Sequence, residues 1–215
     1  MSFAAVLFDF DGTLVDGYPA ITASVNHVRT GRGLPPLSVA EVTRFVGRGP
    51  EYLLTHTVPG GELAADIARY RVHHPSVINE GTRLLTGAVE VLQALSGMGK
   101  LIGLCSNKPR AFSRQLLAHL EIAEYFAVVL GPEDVARPKP APDMLQTAIA
   151  RLRLQPREVL YVGDMTVDIE TARAAGVAVW VTPTGSDERA ALIAARPDRL
   201  LDRLLDLVPL LREMT

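Results

Sequence analysis

The sequence predicts an α/β protein, a doubly wound parallel sheet carrying a small inserted α-helical cap. Three observations predict it. A short β-favouring apolar run, Val6-Leu7-Phe8, reads as a buried parallel strand that ends in Asp9, Asp11 and a glycine turn. From Thr86 onward, helical and β-like segments alternate, as they do when helices cross between parallel strands. Between these regions, Tyr18 to Glu80 holds no β-like run, and its apolar residues recur at helical spacing. The expected division is an α/β core of residues 1–15 and 81–215 and a helical cap of residues 16–80.

In the cap, Pro19 suits the first turn of a helix with Ile21, Val25 and Val28 on one face, closed by Gly31-Arg32-Gly33. Ser38 and Glu41 fit a capping box opening a helix through Phe45 and Val46. Gly47-Arg48-Gly49 breaks the chain and Pro50 starts the next helix. After Pro59-Gly60-Gly61 a helix runs to about His73, with Pro75 beyond it. In the core, helix 88–95 leads to strand 101–105, helix 111–120 to strand 127–130, and helix 143–152 to strand 159–162. Helix 167–175, capped by Gly176, leads to strand 178–181, and two helices, 186–195 and 202–211, end the pattern.

The chain has 215 residues, is 48% hydrophobic and 21% charged, and carries a formal charge of -2. That balance fits a globular protein with an ample core and offers no electrostatic case for nucleic acid or an anionic membrane. No apolar stretch is long enough to span a bilayer, and Asp9 and Asp11 interrupt the N-terminal run, which argues against a signal peptide. Cys105 is the single cysteine, so no internal disulfide or thiolate zinc site is expected, and a cytoplasmic setting is.

Ligands of such sheets bind beyond the carboxyl ends of the strands. The residues found there are Asp9 and Asp11, then Ser106-Asn107-Lys108, then Lys139 between prolines, then Asp164 and Asp168. Clustered carboxylates resist joint ionisation unless a cation intervenes, and Mg2+ with its preference for oxygen ligands suits them better than zinc. A hydroxyl and a lysine in the same place suit phosphate. Each feature also has a plainer reading: Ser106-Asn107 as a helix cap, Lys139 as a loop lysine, Asp168 as a first-turn acid. Together, in this order, they favour a site.

The stretches Asp9-Phe10-Asp11-Gly12-Thr13, Ser106-Asn107-Lys108-Pro109, Arg137-Pro138-Lys139-Pro140 and Gly163-Asp164 through Asp168 resemble the motifs of the haloacid dehalogenase superfamily over nearly the whole chain. The resemblance implies a Mg2+-dependent phosphatase acting on a small phosphorylated metabolite through an aspartyl phosphate. It implies that Asp9 is nucleophile and metal ligand. Asp11 would lend the metal its carbonyl, protonate the leaving alcohol and later activate water. Ser106 and the Asn107 backbone would bind a phosphoryl oxygen, Lys139 would neutralise charge, and Asp164 and Asp168 would serve the metal, the latter through a water. The amides around Gly12 and Thr13 would cradle the phosphate. In relatives with a helical cap, a loop near Arg48 faces the site; substrate contact and a solvated loop both remain open for this arginine.

Asp11 argues against dehalogenases, and the absence of lysine before Lys100 excludes phosphonate cleavage through a cap Schiff base. Among phosphatases the motifs are similar to those of phosphoglycolate phosphatases. They depart at Gly17, where serine is common, and at Gly185-Ser186, where a glycine-tyrosine-glycine stretch is common. A sugar-phosphate mutase of the β-phosphoglucomutase type and a non-catalytic binding module are the alternatives. Oligomeric state and open or closed cap are not legible in the sequence.

Overall fold

The computed structural model describes residues 3–214. Six parallel strands form one sheet in the order β5-β4-β1-β6-β7-β8: β1 (Ala5–Phe8), β4 (Leu101–Cys105), β5 (Phe126–Leu130), β6 (Val159–Gly163), β7 (Ala178–Val181) and β8 (Arg199–Leu200). Val6 pairs in register with Ile102 and Leu160, so β1 lies at the centre. Successive side chains of a strand point to opposite faces, and β1 divides accordingly. Val6 and Phe8 pack in one apolar cluster with α5 (Ala88–Gly97), α6 (Arg110–His119) and α10 (Leu207–Glu213). Ala5 and Leu7 pack in the other with α7 (Asp143–Leu152), α8 (Thr166–Ala175) and α9 (Arg189–Ala195). The core is thus a three-layer, doubly wound α/β sandwich.

Two short antiparallel strands, β2 (Val15–Asp16) and β3 (Arg83–Leu84), bracket a helical insertion. It contains α1 (Tyr18–Thr30), α2 (Val39–Thr43), α3 (Pro50–Thr57) and α4 (Leu63–Val77). Ile21, Val25 and Val28 of α1 are buried together, and the capping box forms, with Ser38 Oγ accepting from the Glu41 amide at 3.3 Å. Two boundaries differ from expectation for reasons that concern proline. Pro75 lies inside α4, which continues to Val77. The carbonyl four residues earlier, which loses its partner, belongs to exposed Arg71 and can turn to water. The last helix starts at Leu207 rather than 202, which leaves Pro209 in the first turn, where no amide partner is needed. Helix α2 also ends early, at Thr43, so Phe45 and Val46 lie in the turn that follows. Among the described residues, no helix is long and apolar enough to cross a membrane.

Candidate active site

Three adjacent strands end in one place. Asp9 follows β1, Ser106 follows β4 and Asp164 follows β6, and all three are buried. The centre of the site is Lys139. Its Nζ stands 3.0 Å from Asp9 Oδ1, 2.7 Å from Asp168 Oδ1 and 3.0 Å from the Tyr161 hydroxyl. Burial works against the ammonium, but the charges of Asp168 and Asp9 outweigh it and hold the lysine pKa above its ordinary value. Tyr161 braces the group, its hydroxyl lying 2.9 Å from the Cys105 carbonyl and 3.1 Å from Asp168 Oδ1. The other Asp168 oxygen accepts the amides of Asp164 and Met165 at 3.1 and 3.0 Å, capping α8.

Carboxylate oxygens of Asp9, Asp164 and Asp168 lie within 4.8 Å of one another. Burial pushes the Asp9 carboxyl up to about 6; Asp168 adds to the rise, while Lys139 and the Ser106 hydroxyl oppose it. Burial likewise raises Asp164 well above the carboxylate range, with Asp168 and Asp9 contributing. Thr13 Oγ1 donates to Asp164 Oδ1 at 2.6 Å, yet Asp164 Oδ2 is buried with no donor. An orphaned carboxylate oxygen among three acids and one ammonium fits a hard cation bound through oxygen. Glycines keep this place clear: a Cβ on Gly185 would stand 1.5 Å from Asp164 Oδ2, and one on Gly12 would stand 2.5 Å from it.

The remaining expected residues are also located. Asp11 does not join the acidic trio; its carboxylate takes Lys108 Nζ at 2.9 and 3.2 Å. Gly12, at φ +87°, forms the turn after β1, and its amide donates to Val15 O at 2.8 Å while that of Thr13 donates to Phe10 O at 3.2 Å. The cradle expected of these two amides is therefore engaged in the turn itself. Asn107 accepts the Lys139 amide at 3.0 Å and donates to the Lys139 and Gly47 carbonyls at 3.0 and 3.1 Å, joining two core loops to the helical insertion. Arg48 is exposed, with its guanidinium 5.4 Å from the centre of the Tyr52 ring. Its neighbours Gly47 and Gly49, rather than Arg48, line the cavity that opens between Asp9 and the insertion.

Sequence reading left Lys108 and Tyr161 without roles. Lys108 is legible in the sequence as a strand-end residue with Ser106, but its partner Asp11 is not; Tyr161 sits inside an apolar strand and looks like core.

The sequence model of the haloacid dehalogenase-like hydrolases matches residues 6–182, which contain every one of these side chains. The chain belongs to the haloacid dehalogenase-like hydrolases. Among curated relatives of this haloacid dehalogenase-like chain, the phosphoglycolate phosphatase of Yersinia pseudotuberculosis is 33% identical, covering 95% of this chain and 91% of its own. That of Salmonella choleraesuis is 32% identical, covering 96% and 91%. A Bacteroides fragilis structure described as haloacid dehalogenase-like superposes with a TM-score of 0.88 at 31% identity, covering 96% of this chain and all of that one. A Clostridium acetobutylicum structure shares the fold with a TM-score of 0.90 at 22% identity.

Proposed function

We propose that this haloacid dehalogenase-like hydrolase is a Mg2+-dependent phosphatase of a small, phosphoglycolate-like phosphomonoester, working in the cytoplasm. One observation carries the reading. The Asp9 carboxylate lines the cavity, with a lysine and two further aspartates buried behind it and Asp11 beside it.

Asp9 attacks phosphorus, and the ester bond breaks toward the leaving oxygen, which takes its proton from Asp11. Asp11 then accepts a proton from water as that water attacks the phosphorus of the aspartyl phosphate, releasing phosphate and restoring Asp9. Ser106 and the Asn107 backbone orient phosphoryl oxygens, and Lys139 balances the charge that Asp9 and Asp168 place next to the phosphate. Mg2+, held by Asp9, Asp164 and the Asp11 carbonyl with Asp168 in support, would supply charge neutralisation for an anionic attack on a phosphate dianion. The helical insertion acts as a cap whose apolar residues Ile21, Val46 and Leu53 cover the cavity and exclude water.

The test is phosphate release from a panel of phosphorylated metabolites and an aryl phosphate with Mg2+, for wild type and Asp9→Asn. Turnover is expected to vanish in the variant and with chelator. A variant that keeps metal-dependent turnover overturns the reading. Isomerisation of a sugar phosphate faster than phosphate release would replace it with a mutase.

A further inference from the structure

The cavity in front of Asp9 is unevenly furnished. The insertion contributes Ile21, Val46, Leu53 and Tyr70, with no cation among them. His74 also lines it, but burial, with Lys108 and His73 adding, depresses its pKa to about 2, so the imidazole is neutral. Arg48 is turned outward onto Tyr52. Lys139 is committed to Asp9 and Asp168 and does not line the cavity. Among the described lining residues, Lys108 is therefore the only positive charge, and its partner Asp11 is the group that must reach the ester oxygen.

Distance turns this pairing into a constraint on the substrate. An acid that protonates an ester oxygen comes within about 2.6–3.2 Å of it. A carboxylate joined to that oxygen through one methylene has its own oxygens three bonds away, which at bond lengths of about 1.2–1.5 Å and ordinary bond angles is roughly 3 Å from the ester oxygen. A lysine already 2.9 Å from Asp11 is within reach of that carboxylate. A second anion brought among Asp9, Asp11 and the apolar cap wall would otherwise lie unpaired, which is costly in a water-poor site.

We propose that Lys108 is the specificity-determining residue of this enzyme, the counter-ion of a carboxylate placed one methylene from the ester oxygen of the leaving group. On binding such a substrate, Lys108 exchanges the Asp11 carboxylate for that of the substrate, and Asp11 is left free to turn to the ester oxygen. A neutral leaving group offers Lys108 nothing in return, so Asp11 stays tied. The inference rests on the phosphatase reading above and goes further by assigning the residue that chooses among phosphomonoesters.

The experiment compares kcat/KM for phosphoglycolate and 2-hydroxyethyl phosphate, equal in length but neutral in the leaving group, with p-nitrophenyl phosphate as a third substrate. It uses the full chain with Mg2+, as wild type, Lys108→Met and Lys108→Arg. Wild type is expected to favour phosphoglycolate by about 100-fold, within the range that one hydrogen bond to a charged group contributes. Lys108→Met is expected to lower the rate on phosphoglycolate and to raise that on 2-hydroxyethyl phosphate, for which Asp11 is no longer tied, bringing the ratio close to one, and Lys108→Arg to restore most of it. Glycolate should inhibit wild type competitively where ethylene glycol does not, a measurement that needs no variant. Equal losses on both substrates in Lys108→Met, a wild type indifferent to the carboxylate, or glycolate no better than ethylene glycol would each overturn the assignment while leaving the phosphatase intact. No release from any of the three substrates would remove the phosphatase reading, and the assignment with it.

Discussion

Lys139 Nζ lies 2.7 Å from Asp168 Oδ1, and both side chains are fully buried. The pair sets the charge balance of the site, since this one ammonium faces Asp9 as well and Asp164 stands close by. Removing it leaves several acids buried without a counter-ion, and breaking a buried pair typically costs ~3–5 kcal/mol. Lys139→Met is expected to lower Tm by roughly 6–12 °C for a ~3 kcal/mol loss in a chain of this size. Phosphate release should fall by about 10²–10³ as charge stabilisation is lost. Calorimetry and steady-state assays check both, and a variant as stable as wild type would show that the acids are neutralised some other way.

Gly185 guards the open oxygen of Asp164. Its backbone lies so close that a Cβ would stand 1.5 Å from Asp164 Oδ2. Gly185→Ala must displace either the loop or the carboxylate, and the carboxylate is fixed on its other oxygen by Thr13. The expected result is a folded protein with Mg2+ affinity weakened by about 10–100-fold, the usual effect of disturbing the groups that orient a ligand. Isothermal titration with Mg2+ measures it, and unchanged affinity would mean that Asp164 does not hold the metal through that oxygen.

The layered sheet was legible because each long strand is an apolar run bounded by turn residues, and the acids at strand ends were legible because nothing in a core explains them. Strands β2, β3 and β8 were not, since two residues each carry no periodicity. The pairing of Lys108 with Asp11 depends on β4 lying beside β1, a fact of topology that spacing along the chain does not contain. Tyr161 was hidden because a phenol in a buried strand is written in the same letters whether its hydroxyl braces a lysine or merely fills space. Asp168 had two readings, helix cap or metal support; in the fold its Oδ2 caps α8 while Oδ1 anchors Lys139.

The raised carboxyls would make Mg2+ binding at the proposed site pH dependent in a definite direction. Asp9 titrates at about 6 in the folded, metal-free protein against 3.8 ordinarily, and Asp164 is raised as well, both chiefly through burial. The stability these groups contribute is full below about 4 and is lost as pH rises through about 6 for Asp9. Mg2+ needs them ionised, so it should raise Tm most where they are charged and unhappy. The Mg2+-induced rise is expected to be about twofold larger at pH 7.5 than at pH 5. His74 acts oppositely: held neutral in the fold, it contributes above 6.5 and costs stability as pH falls below that. Repeating the scan on His74→Gln separates the two, and a Mg2+ effect larger at pH 5 would sink the account.

Asn107 ties the helical insertion to the loop that carries Lys139. One amide group accepts the Lys139 amide at 3.0 Å and donates to the Lys139 carbonyl at 3.0 Å and to the Gly47 carbonyl at 3.1 Å. Asn107→Ala strands three backbone groups at a buried junction, each worth ~1–3 kcal/mol if water cannot reach it. Water can enter more easily beside Gly47 than beside Lys139, because the former is half-buried and the latter buried. The insertion should therefore loosen at Gly47 while the Lys139 loop shifts. A looser cap weakens the hold on substrate before chemistry, so KM is expected to rise by about 10-fold. The shifted lysine should lower kcat as well, but by less. Hydrogen exchange should show faster opening at the Lys139 amide, which loses its acceptor, and at residues 44–49. If kcat alone falls and exchange at residues 44–49 is unchanged, Asn107 serves only the Lys139 loop and the cap is held by its apolar contacts.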